Sequence, residues 1–214
     1  DQHSGKKLWE RQFWATGRTQ THQKINTAAP TPVSDGQAVY ALFSTNDLFA
    51  LDLDGNLLWL RELAKEYPNA NNSLGMASSP VVADGRVVVM LETDSQAVAL
   101  GIDCHSGATV WELDRPRIAN WTSPTLLRGA EGQTIVALQS SKGLSAHDPR
   151  TGTQLWNFAR DCDTRPSGVS SGEVAYVPSN GLVALRGNGL SATPDILWES
   201  NRLQPSTPSP LLSG

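Results

Sequence analysis

A tryptophan preceded four positions earlier by glycine returns at nearly constant spacing: Gly5 to Trp9, Gly55 to Trp59, Gly107 to Trp111 and Gly152 to Trp156, with Pro194 in the glycine's place before Trp198. The five tryptophans stand 50, 52, 45 and 42 residues apart. A proline after a small or polar residue keeps step with them, at Pro32, Pro80, Pro124, Pro166 and Pro210. A period of roughly 40 to 50 residues marks a chain built from stacked copies of one supersecondary unit. One unit shows the grammar well. A short strand at Val81 and Val82 leads through Asp84-Gly85 to a second around Val87 to Val89; a third runs from Gln96 to Ile102, turns at His105-Ser106-Gly107, and a fourth covers Thr109 to Leu113. The unit before it repeats this with Thr31 to Ser34, Ala38 to Phe43, Leu48 to Leu53 and Asn56 to Leu63. Asp-Gly pairs suit the connections because both residues tolerate the positive φ of tight hairpins.

Four short antiparallel strands per repeat make one propeller blade. The chain is therefore expected to be all-β, a single β-propeller segment over residues 1–214. Four complete four-stranded blades fall at about 27–63, 76–114, 121–160 and 165–200, with partial blades at 5–11 and 207–214. Leu60 to Tyr67 is the longest helix candidate, and it reads first as the end of a strand plus a loop. Against 21 acidic residues the chain has 17 basic ones, a net charge of −4, and no basic tract to neutralise phosphates; nucleic acid is not an expected partner. No apolar run approaches the roughly 18 residues of a transmembrane span.

The units resemble the pyrroloquinoline-quinone (PQQ)-type propeller repeat, whose hallmark is Ala-x-Asp-x-x-x-Gly-x-x-x-Trp. Ala146, Asp148, Gly152 and Trp156 match it in full. Ala50, Asp52, Gly55 and Trp59 match with one residue deleted; Asp103, Gly107 and Trp111 match with Ala99 displaced by two inserted residues. The fourth unit keeps Ala184 and Trp198 without the aspartate or the turn glycine. More narrowly, the chain resembles bacterial PQQ-like repeat proteins related to the outer-membrane assembly lipoprotein BamB. Lys24-Ile25-Asn26-Thr27 ahead of Thr31-Pro32-Val33, the segment from Asp52 to Trp59, and Asp114-Arg115-Pro116 running to Trp121-Thr122-Ser123-Pro124 carry that likeness.

The resemblance implies that Trp9, Trp59, Trp111, Trp156 and Trp198 dock between adjacent blades, with Ala50, Ala99, Ala146 and Ala184 leaving room for the rings. Asp52, Asp103 and Asp148 stand before turns closed by Gly55, Gly107 and Gly152, where a carboxylate accepts backbone N–H bonds. An acid that recurs once per blade is expected to cap a turn rather than do chemistry. Rings of this type usually have seven or eight blades. Four blades and two pieces are then about half a ring, the remaining blades belonging to a longer protein or to another chain.

In such blades the loops from a fourth strand to the next first strand share a rim with those joining strands two and three, and that rim is the expected binding surface for a protein or peptide. Its candidates are Arg115, Arg117, Asn120, Trp121, Arg160 and Arg165, because exposed Arg beside Trp suits a peptide, a carboxylate or a sugar. The plainer reading is a solvated loop surface with Trp121 tucked beneath it. His3, His22, His105 and His147 lack zinc spacing, and neither a phosphate-cradling Gly loop nor a Gly-x-Ser-x-Gly elbow occurs. Cys104 and Cys162 are expected at opposite rims, too far apart to bridge. Asn71-Asn72-Ser73 and Asn120-Trp121-Thr122 match the glycosylation sequon. The resemblance implies a non-catalytic scaffold of the periplasm or cell envelope, with no cofactor and no metal. The alternative is a piece of a quinoprotein dehydrogenase, holding PQQ and calcium over the ring centre and oxidising alcohols or sugars.

Overall fold

The computed structural model describes residues 1, 3–18, 22–23, 26–72, 74–187 and 192–212. Lys24, Ile25, Ser73, Ser213 and Gly214, named above, lie outside them. The described residues form four antiparallel four-stranded sheets, each in simple chain order. Blade 1 comprises β1 (Val33–Ser34), β2 (Ala38–Leu42), β3 (Asp47–Asp52) and β4 (Leu57–Glu62); blade 2 comprises β5 (Val81–Ala83), β6 (Arg86–Glu92), β7 (Ala97–Asp103) and β8 (Thr109–Asp114). Blade 3 holds β9 (Thr125–Arg128), β10 (Thr134–Ser140), β11 (Gly143–His147) and β12 (Gln154–Phe158); blade 4 holds β13 (Val169–Ser171), β14 (Val174–Pro178), β15 (Leu182–Arg186) and β16 (Asp195–Ser200). The first strands β1, β5, β9 and β13 pack beside one another in turn, which places them at the axis. No helix among the described residues is long and apolar enough to cross a membrane.

Burial follows position in the blade. The middle strands are covered on both faces, so β6 and β7 read as nearly unbroken apolar runs. Fourth strands face outward and are mostly exposed. The core is not inside any blade but between blades: one apolar cluster joins blades 1 and 2, a second joins 2 and 3 around Val88, Met90, Val136 and Leu138, and a third joins 3 and 4.

The docking tryptophans explain the repeat. Trp9 Nε1 donates to the carbonyl of Leu53 at 2.8 Å, Trp59 Nε1 to Cys104 at 2.9 Å and Trp111 Nε1 to Pro149 at 2.8 Å, each acceptor lying in the turn between the third and fourth strands of the next blade. The same three indoles lie on Gly55, Gly107 and Gly152, where an added Cβ would come within 2.7 to 2.9 Å of the ring. Those glycines also have φ of +80°, +72° and +73°. Two constraints, left-handed backbone and no room, therefore fall on one residue. In every blade the ladder between the third and fourth strands slips by one residue beside the tryptophan, leaving Leu58, Val110, Leu155 and Leu197 as exposed bulge residues.

Several expectations need correction. Opposite Trp111 stands Gly101, while Ala99 pairs with Leu113. The indole lies so close that a Cβ on residue 101 would meet it at 2.0 Å, so alanine has no room there. Ala50, Ala146 and Ala184 do face Trp59, Trp156 and Trp198. In blade 4 Gly187 supplies the surface under Trp156 that the sequence had seemed to lack. Among the described residues Trp198 has no such cover, and it is 42% exposed. Residues 5–11 and 207–212 form no strand, because neither has a ladder partner among the described residues. Residues 63–66 are not loop but one helical turn, α1 (Leu63–Glu66), anchored by fully buried Leu63.

A second inter-blade chain runs near the axis. Thr31 N–H donates to Ser79 Oγ, Ser79 N–H to Ser123 Oγ, Ser123 N–H to Ser167 Oγ and Ser167 N–H to Ser209 Oγ, at 2.9 to 3.0 Å. Four of these five residues precede proline; in unit four the equivalent is Gly168, and Pro166 is out of step.

Gly107→Ala and Gly152→Ala are each expected to lose about 2–4 kcal/mol in urea unfolding, combining a left-handed residue's cost of ~1 kcal/mol with overpacking of about 1–3 kcal/mol. Gly85→Ala, at φ +74° with nothing within 4 Å of its added Cβ, is expected to lose only the first part, ~1 kcal/mol. Equal losses at all three positions would contradict indole packing on the turn.

Candidate functional site

Hydrogen bonds place the two loop families on one rim. Ser44 N–H donates to Thr27 O, Asn120 N–H to Glu92 O and Asp163 N–H to Pro178 O, each joining a loop that leads into a first strand to the second and third strands or their turn. The rim candidates then separate into two kinds. Arg115 and Asn120 are not surface groups. Arg115 Nε meets Glu92 Oε1 at 2.7 Å, with side chains 8% and 0% exposed, and its other nitrogens donate to Ser145 Oγ and to the carbonyls of Leu138 and Gln139. Asn120 Nδ2 donates to Glu92 Oε2 and Gln139 O, both at 2.8 Å. This network ties blade 2 to blade 3, and it closes Asn120 to glycosylation.

Arg117 and Arg165 remain exposed on the rim. Arg160 forms a surface pair with Glu199 at 2.8 Å and lies over Phe158. Trp121 is half-buried and its Nε1 donates to Gly75 O at 3.0 Å, so it is tucked into the rim. Beside it Asn71, Asn72, Leu74, Asp94 and Ala119 line a shallow groove of about 300 Å³.

The turn aspartates are occupied in place. Asp52 accepts from Asn56 Nδ2 and from the backbone of Asn56 and Asp54; Asp103 accepts from the backbone and hydroxyl of Ser106 and the backbone of His105; Asp148 accepts from Arg150 N–H. The Asn56 side-chain bond first, then backbone donors, hold Asp52 below the usual carboxylate range; for Asp103 the Ser106 backbone bond does so first. Cys104 and Cys162 are both free thiols, and burial pushes Cys162 up to about 12.

A cleft that sequence reasoning missed recurs on the rim side of the blade joints. The residue four after one docking tryptophan reaches toward the residue one before the cross-strand partner of the next blade's tryptophan. Where residues 5–15 meet blade 1, Phe13 stacks on Phe49 with centroids 4.2 Å apart. Between blades 1 and 2 the pair is Leu63 and Leu100, both fully buried in one cluster. Between blades 2 and 3 it is Arg115 and Ser145, hydrogen-bonded at 2.9 Å. His147 lines this last cleft. Its Nδ1 donates to Gly152 O at 2.9 Å, and its Nε2 is buried without a partner. Burial, with Arg115 nearby, holds its pKa below the usual histidine value.

A quinone site with calcium does not fit these residues. Among the described residues the buried acids, Asp47 and Glu92, sit on different blades. Asp47 is taken by Thr16 and Thr45, and Glu92 by Arg115 and Asn120.

Residues 1–188 match the family described as outer membrane protein assembly factor BamB. The outer membrane protein assembly factor BamB of Moranella endobia is 29% identical over 123 residues, 57% of this chain and 28% of that protein. Its Escherichia coli (strain K12) counterpart is 28% identical over 127 residues, 58% and 29% respectively. The match thus spans less than a third of the length of these relatives. Among solved structures, BamB from Moraxella catarrhalis aligns with a TM-score of 0.52 at 17% identity, covering 82% of this chain and 62% of that one. A quinohemoprotein alcohol dehydrogenase from Pseudomonas putida HK5 aligns at 0.53 and 16% identity, covering 80% and 33%. At such identities both structural likenesses are of fold.

Arg115→Ala is expected to cost about 3–5 kcal/mol in denaturant unfolding, because it leaves the buried Glu92 carboxyl without its counter-ion; adding Glu92→Gln should recover part of the loss. An Arg115→Ala loss below ~1 kcal/mol would mean the pair is only a surface contact. Because His147 is held neutral in the fold, the unfolded chain takes up its proton first as pH falls below about 6.5. Stability should therefore drop between pH 7.5 and 5.5, and His147→Gln should flatten that slope; an unchanged slope would remove His147 as its source.

Proposed function

The chain belongs to the outer membrane protein assembly factor BamB family, and from that premise we propose that it is a non-catalytic interaction scaffold of the bacterial cell envelope, on the periplasmic side, binding a protein or peptide at its loop rim. The observation that carries this reading is the division of labour among the rim residues. Arg115, Glu92 and Asn120 are committed to fixing one blade against the next, which holds the loops rigid. Arg117 and Arg165 stay exposed, and the Trp121 groove with Leu74 and Ala119 offers apolar surface. Preorganised loops carrying a mixed groove, with Trp121, Leu74 and Ala119 set among polar residues, and exposed cations nearby suit a partner that presents an apolar side chain flanked by acids.

We read the remaining blades of the ring as supplied by a longer protein, in keeping with a match that spans less than a third of the length of the BamB relatives. Two features support this: Trp198 is open where the other indoles meet the next blade, and Ser209 already accepts a hydrogen bond from Ser167.

A photo-crosslinking residue placed at Arg117 or Leu74 of the full-length protein in cells is expected to capture a component of outer-membrane protein assembly. One placed at Val110, on the outer wall, is not. Arg117→Glu with Arg165→Glu should cut capture from Leu74 about fivefold or more. Equal capture from Val110, or none from either rim position, would contradict a rim partner.

A further inference from the structure

The recurring cleft is filled differently at successive joints. Between blades 1 and 2 the chain fills it with its own side chains. Arg61 donates to Gly107 O and Thr109 Oγ1, and Tyr67, at the end of α1, places its hydroxyl 2.7 Å from Glu112 Oε2. Leu63 and Tyr67 pack there with Leu100 and Ile102. Aligned on the docking tryptophan and its cross-strand partner, the matching positions between blades 2 and 3 are Leu113 for Arg61, Ser145 for Leu100, His147 for Ile102 and Asn157 for Glu112.

At this second joint the internal occupant is missing. The position eight after the tryptophan, Tyr67 in blade 1, is Ala119 in blade 2, and its N–H turns away to Asp94. Leu113 is shorter than Arg61 and carries no donor. An open cleft of about 310 Å³ results, lined by Leu113, Pro116, Ser145, His147 and Asn157 among others. Its walls have become polar where those of the filled joint are apolar. His147 is 4% exposed, and since Nδ1–H is committed to Gly152 O, the neutral ring keeps its acceptor lone pair on Nε2. Among the described residues that buried acceptor has no partner, a state that costs free energy until a donor arrives.

We propose that the cleft between the second and third blades receives a tyrosine side chain from a partner protein, its ring against Leu113 and Pro116 and its hydroxyl among Asn157 and His147. The assignment rests on the scaffold reading above and adds the chemistry of the bound residue. The phenol of Tyr67 in the equivalent cleft is the precedent for size and for a hydroxyl meeting the residue after the docking tryptophan. Lys142 balances Asp114 on the lining and Glu92 answers Arg115, so the cleft carries no net charge that would draw an ionic side chain. A wholly apolar one would leave the His147 acceptor unpaired.

N-acetyltyrosinamide and N-acetylphenylalaninamide serve as probes, titrated into the isotope-labelled full-length protein and followed by backbone amide and imidazole NMR signals. The tyrosine probe is expected to shift Ser145, His147, Gly152 and Asn157, and to bind about fivefold or more tighter than the phenylalanine probe. His147→Ile, which installs the residue of the equivalent joint, should remove that preference while leaving the fold intact. Equal binding of both probes by the unaltered chain, shifts confined to other joints, or no shift up to the solubility limit would each overturn the proposal, the last meaning the cleft holds only water. Crosslinking from Arg117 would be unaffected by such a failure, so loss of this assignment and loss of the scaffold reading are distinguishable.

Discussion

An indole lying across the glycine turn of the neighbouring blade is the contact on which the rest of this structure depends. A four-stranded blade is too small and too twisted to cover its own faces, so each must be buried by the next. Blades that radiate from an axis diverge outward, and the widest gap falls beside the fourth strand. Only a large flat side chain fills it. Its N–H, bonded to a carbonyl of the next turn, fixes where along the neighbour the ring comes to rest. The bulge beside each tryptophan aims the ring, and the exposed aliphatic residue it leaves behind is a by-product of that geometry.

Near the axis the gap is narrow and the solution is different. A serine or threonine backbone N–H reaches the serine hydroxyl of the following blade, from Thr31 through to Ser209, so consecutive first strands are joined by small polar groups. Indoles outside and serines inside together fix the angle between blades. The joint between those two radii is left free to vary, and it does: stacked phenylalanines, a buried leucine pair with its helical turn, then an arginine held by glutamate and serine. Diversity at one repeated position is how a scaffold of near-identical units acquires distinct sites.

Much of the fold was legible in the sequence, because period and turn chemistry are local properties. Glycine four before tryptophan reports a left-handed turn and an indole's place at once, and it located the first three blades, the fourth being marked by Ala184 and Trp198 without the glycine. Where the register was harder, the reading slipped: Ala99 resembled the repeat's alanine, but the two extra residues were absorbed so that Gly101 came opposite Trp111. The serine chain has no local signature, because serine is common in turns and here stands beside a proline that marks the same position. The rim was legible only in outline. Arg115 and Asn120 look like surface loop residues, yet Glu92, which buries them, is 23 and 28 residues earlier on another strand. No local pattern announces that meeting, and the same holds for the cleft around His147.

The measurement that bears most directly on the central contact is hydrogen exchange at the indole nitrogens, read from their separate NMR signals. If the rings are clamped between blades and bonded to carbonyls, the N–H groups of Trp59 and Trp111 should exchange roughly a hundredfold more slowly than that of half-open Trp198. Similar rates for all three would mean that the rings do not join the blades, and the architecture argued from them would have to be rebuilt on another contact.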